Sequence, residues 1–318
     1  VVWPDSPSTR LTPAGIIHSH WQTLGGSPGK VVSDLERVGD GHRIRYEHGA
    51  IYAKDGGPMA WVHGAIGEKY EALGGARSWL GFPLADEAPF SEGGRVSVFE
   101  HGSIYWWPDV GAVELNDVVV HYTGLVCFGE SDVDQFPSDS DEPYVVLGVV
   151  GPTGNMAARS PIYDDVDGGE SRPDLLEIYR GKPYGVSINV LLMESDEEDP
   201  DKYKGVMEAA VGTAAAGITA AIAAVPVAGP ALAALAAPLL AAVGPTVVTE
   251  LNKAFISVFG LEDDRFGTAT LHVTAKQMVV LAARTTNSSE RGVGFKLHTS
   301  LISGDGASYK VYFGLVLA

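Results

Sequence analysis

The first 120 residues repeat, and an internal repeat constrains a fold strongly because each copy has to build the same supersecondary unit. Ile17, Trp21, Leu24 and Gly25-Gly26 recur as Ile66, Tyr70, Leu73 and Gly74-Gly75. The i, i+4, i+7 spacing lays one apolar stripe along a short helix, and the glycines supply the left-handed residue that ends it. Tyr46-Glu47-His48-Gly49-Ala50-Ile51-Tyr52 then recurs as Phe99-Glu100-His101-Gly102-Ser103-Ile104-Tyr105. Alternating runs broken at His-Gly predict a hairpin. A third, degenerate start is expected over 118–125. Trp3-Pro4-Asp5 echoes Trp107-Pro108-Asp109, which predicts that the chain opens on the closing strand of a unit.

Leu80-Gly81-Phe82-Pro83, followed by Asp86-Glu87, Gly93-Gly94-Arg95 and the run 99–105, resembles the LGFP repeat family. The second unit matches closely; the first keeps the helix, Leu-Gly-Gly and the hairpin but has no Leu-Gly-Phe-Pro string. Members of that family are attached to mycoloyl transferases and other exported, mostly bacterial proteins, so the resemblance implies a secreted or cell-surface chain that binds cell-wall glycan. Trp61, Trp79, Tyr105, Trp106 and Trp107 offer flat faces on which sugar rings stack, and are equally the bulk from which a small repeat builds its core. Adjacent side chains on a strand point to opposite faces, so one of Trp106 and Trp107 is expected to face out. His18-Ser19-His20 has no acidic neighbour in sequence and reads as ordinary surface histidines rather than metal ligands.

Beyond the repeats, β-branched runs at 118–126, 144–150, 185–192, 268–273, 278–283 and 309–317 alternate with turn-rich stretches, the pattern of an antiparallel sandwich. The 22 basic and 40 acidic residues leave a net charge of −18, and residues 121–208 alone hold 19 acidic against 6 basic. So acidic a chain has no footprint for nucleic acid, whose phosphates would repel it. The carboxylates cluster at strand ends, where a hard cation or plain solvation would offset their repulsion. Asp141-Glu142-Pro143-Tyr144-Val145, Leu191-Leu192-Met193-Glu194-Ser195-Asp196 and Asp263-Asp264-Arg265-Phe266-Gly267 are similar to the loop borders of C2 domains. That resemblance implies a sandwich whose apical loops bind Ca2+ and dock on lipid, with Asp134, Asp141, Glu142, Glu194, Asp196, Asp263 and Asp264 at the ion. Glu142 and Glu194 stand where the family has aspartates.

Between two of those loop borders, residues 209–249 carry no charge over 41 positions. Pro226-Val227-Ala228-Gly229-Pro230 divides the stretch into arms of 17 and 19 residues, each ~25–29 Å long as helix at 1.5 Å per residue, close to a ~30 Å hydrocarbon core. A helical hairpin is expected, with Ala209, Ile218 and Ile222 on the first arm and Leu232, Leu235, Leu239 and Val243 on the second as membrane-inserting positions. Alanine is only weakly apolar and Pro238 interrupts the second arm, so a hairpin packed inside a water-soluble protein reads equally well.

The single cysteine, Cys127, excludes an intramolecular disulfide, and its place in a strand reads as an inert buried thiol. No Gly-x-Ser-x-Gly elbow, His-Glu-x-x-His, phosphate loop or dinucleotide fingerprint occurs, so no catalytic residue is assigned; a glycan hydrolase built on paired acids is the enzymatic alternative. The sequence thus predicts an α+β, mainly β chain: LGFP-like repeats over 1–117, then a C2-like sandwich over 118–318 with a helical hairpin at about 203–259. The function expected is that of an exported, non-enzymatic, membrane-active protein of toxin or defence type. Its partners would be glycan and lipid, Ca2+ its cofactor, and an oligomer would follow if it forms pores. The alternative is a lectin-like cell-wall binder with a structural hairpin.

Overall fold

The computed structural model describes residues 12–131, 141–195, 200–223, 265–304 and 306–318. They fall into two compact units that part between Asn116 and Asp117, and the molecule is mainly β with antiparallel sheets and a few helices.

The first unit is built from two copies of a helix followed by a four-stranded meander. α1 (Pro13–Thr23) starts at Thr12, whose hydroxyl accepts the Gly15 N–H at 3.1 Å, with Pro13 in the first turn where its missing N–H costs nothing. β1 (Glu36–Val38), β2 (Gly41–Tyr46), β3 (Gly49–Lys54) and β4 (Met59–Val62) follow in order. α2 (Gly64–Leu73) ends on Gly74 at φ 108°, and β5 (Ala88–Pro89), β6 (Arg95–Val98), β7 (Ser103–Trp107) and β8 (Gly111–Leu115) complete the second copy. The His-Gly break is the turn of each hairpin. At Gly49 φ is also 108° and a Cβ would stand 2.4 Å from the Val62 carbonyl oxygen, so that position needs glycine.

Equivalent hydrogen bonds identify the copies. Trp21 Nε1 donates to the Gly29 carbonyl at 2.9 Å, as the Tyr70 hydroxyl does to that of Gly81 at 2.6 Å. Glu47 accepts the Lys30 N–H at 2.9 Å, as Glu100 accepts that of Phe82 at 2.8 Å. Pro28-Gly29-Lys30 therefore stands in the place of Leu80-Gly81-Phe82. The first copy keeps the loop without its string. The β2–β3 hairpin serves two cores: Ile44, Tyr46, Ile51 and Ala53 pack with Ile17 of α1, while Ala50 and Tyr52 pack with Ile66 and Tyr70 of α2.

The described residues of the second unit form two larger antiparallel sheets and a two-stranded one. β9 (Val118–Gly129), β10 (Pro143–Gly151), β11 (Gly154–Arg159), β12 (Ser171–Gly181), β13 (Val186–Glu194) and β14 (Arg265–Val273) lead to the hairpin β15 (Ser288–Glu290) and β16 (Val293–Phe295). β17 (Leu297–His298), β18 (Ile302–Gly304) and β19 (Ala307–Leu317) close the chain's order of strands. One sheet runs β11-β10-β13-β14 and the other β12-β9-β19-β17, with β18 also on β19. Phe266 of the first stacks on Tyr309 of the second at 5.4 Å between ring centres. The outer face of β10 and β13 lies under α3 (Pro200–Ala223), where Tyr144, Val146, Leu191 and Met193 pack with Tyr203, Met207, Ala210 and Val211.

Three sequence expectations change. Residues 118–125 belong to β9 and start no third repeat, since they pair with both β12 and β19. The run 278–283 is not a strand: it lies in α4 (Ala275–Ala283), opened by a capping box in which Thr274 and Gln277 satisfy each other's backbone N–H. The alanine-rich arm starts earlier than 203–209, at Pro200, and its first turns are spent on the sheet. No helix among the described residues is long and apolar enough to cross a membrane. The closing-strand echo at Trp3, the side chains of Ile218 and Ile222, and the whole second arm with Leu232, Leu235, Leu239 and Val243 lie outside the described residues.

Candidate functional site

A cleft of about 840 Å³ opens in the first unit, between the β2–β3 turn, β4 and α2. The turn contributes Tyr46, Glu47 and His48, β4 contributes Trp61, and α2 presents Gly67, Glu68 and Glu71, positions three and four apart that share one helix face. Gly67 lets the helix lie close to β4, for a Cβ there would already stand 3.3 Å from the Val62 carbonyl.

Trp61 edges this cleft while its ring packs on the α1-side core with Ile44 and Ile51. It is partly exposed, its indole N–H is tied to the His48 carbonyl at 2.8 Å, and His63 stacks on it at 3.8 Å between ring centres. Its backbone N–H donates at 2.7 Å to Asp86 Oδ1, which also accepts from His20 Nε2 at 2.9 Å. Burial alone would raise the Asp86 pKa, but these two partners hold it below the usual carboxylate value. A ring held by three contacts loses little freedom on binding.

The cleft wall rests on a charged cluster. Buried Arg43 donates to both oxygens of Glu71 at 2.8 and 2.9 Å and to Glu36 at 2.5 Å, while the Tyr52 hydroxyl also donates to Glu71. Burial works to lower the Arg43 pKa, yet Glu36, Tyr52 and Glu71 lift it above its ordinary value. Burial, and then Glu71, push the Tyr52 hydroxyl well up. Tyr46 is only 4% exposed, its hydroxyl has no hydrogen-bond partner among the described residues, and burial pushes it up to about 12.

The five aromatic residues predicted from sequence separate. Tyr105 and Trp107 are fully buried, with Trp107 Nε1 donating to the Ser91 carbonyl at 2.9 Å, so they are core and present no face to a ligand. Trp106 is partly buried, as strand alternation requires, and Trp79 is 48% exposed outside the cleft. Only Trp61 lines the cleft. The tyrosines, acids and histidines around it were not singled out, although the 64-67-68-71 spacing on α2 and the Tyr-Glu-His-Gly turn carried the signal.

Of the predicted calcium ligands, Asp134, Asp196, Asp263 and Asp264 lie outside the described residues. Pairing of Pro143 with Glu194 brings exposed Glu142 and half-buried Glu194 to one end of the β10–β13 ladder. Asp141 is fully buried and its carboxylate accepts from Ser131 N–H at 3.1 Å, Ser131 Oγ at 2.6 Å and the Tyr309 hydroxyl at 2.5 Å. Those bonds use it as a structural acceptor between β9, β10 and β19. Among the described residues no three His, Cys, Asp or Glu side chains form a group that could hold a metal. Cys127 is buried in β9, and burial pushes its thiol up. Ala209 is exposed on α3, opposite the face that packs.

Comparison with known proteins gives two matches to the LGFP repeat, residues 29–78 and 80–120. Their boundaries place the hairpin of one repeat and the helix that precedes the next within a single match, the two elements that enclose the cleft. LGFP repeats are typical of cell-surface and cell-wall-associated proteins. No curated protein matches the chain.

Proposed function

We propose that this chain is an exported, non-enzymatic cell-wall protein that binds glycan in the cleft of its first LGFP repeat. The observation that carries the reading is the 840 Å³ cleft, edged by the partly exposed Trp61–His63 ring stack and by the carboxylates of Glu47, Glu68 and Glu71. Sugar rings present apolar C–H faces to aromatic planes and hydroxyls to carboxylates, the combination that this cleft supplies. The described part of the alanine-rich helix serves as packing in this reading, since Tyr203, Met207 and Val211 cover the outer face of β10 and β13.

The test is cosedimentation of the purified chain with insoluble bacterial cell-wall polysaccharide. The parent should pellet with the glycan, and Trp61→Ala should weaken retention at least about tenfold, the loss of one stacking face. Equal retention of the two proteins would place recognition elsewhere.

A further inference from the structure

We draw no further inference here: the strongest candidate, the surface patch of Val32, Asp34 and Leu35 on the loop of the first repeat whose counterpart in the second seats Asp86 on His20 and the Trp61 N–H, carries nothing because the structure does not show what covers it.

Discussion

At the scale of single residues, Asp86 and Gly81 determine whether the repeats hold together. Asp86 accepts from His20 of α1 and from the Trp61 N–H of β4, so one carboxylate ties the second copy's loop to the first copy's helix and sheet. Its folded pKa is depressed, so the stability it contributes is present above the ordinary carboxylate value of about 3.9 and is lost as pH falls through the lower folded value. Glu36 and Glu100 are held down by Arg43 and Lys54 and titrate in the same sense. The melting temperature should fall on acidification below about pH 4, and Asp86→Asn should lower it at neutral pH while flattening that acid dependence; circular dichroism melts across pH check both. Gly81 sits at φ 71° with Glu100 Oε2 only 2.4 Å from where a Cβ would be, and Glu100 cannot swing away without releasing Phe82 and Lys54. Gly81→Ala should cost about 1–3 kcal/mol in urea titration.

At the scale of elements, the sequence was legible where a periodic pattern and a turn residue agreed. The repeat helices, both His-Gly hairpins and β10, β13 and β19 fall where alternation and glycine placed them. It misled where a β-branched run outweighed a cap: Met278-Val279-Val280-Leu281 reads as a strand, yet Thr274 and Gln277 had already marked a helix start. β11 and β12 went unread because β12 is an edge strand with two irregularities and an exposed Leu175 in the first, so no clean alternation survives. The repeat loop at Pro28-Gly29-Lys30 was hidden for another reason: its geometry depends on a left-handed glycine and Glu47 rather than on the Leu-Gly-Phe-Pro letters. For α3 the packed and open faces make distinct predictions. Val211→Asp should destabilise the second unit by several kcal/mol, since it would bury a charge against β10, while Ala209→Asp should change stability by about 0.5 kcal/mol or less in the same denaturation assay.

At the scale of the whole molecule, the cleft arises because two consecutive repeats share one hairpin. The β2–β3 sheet gives one face to α1 and the other to α2, and the cleft lies where the second packing leaves the β2–β3 turn uncovered. That arrangement was not legible residue by residue: Trp61 stood out as one aromatic among five, and only the fold brings Glu68 and Glu71, some ten residues further on, to the lining of the same cleft. The measurement that tests this most directly is amide hydrogen exchange with and without solubilised cell-wall glycan. Slowed exchange confined to the β2–β3 turn around 46–50 and to 61–71 is the result the cleft predicts. Protection centred instead on Trp79 and on β7 around Trp106, with the β2–β3 turn unchanged, would contradict it.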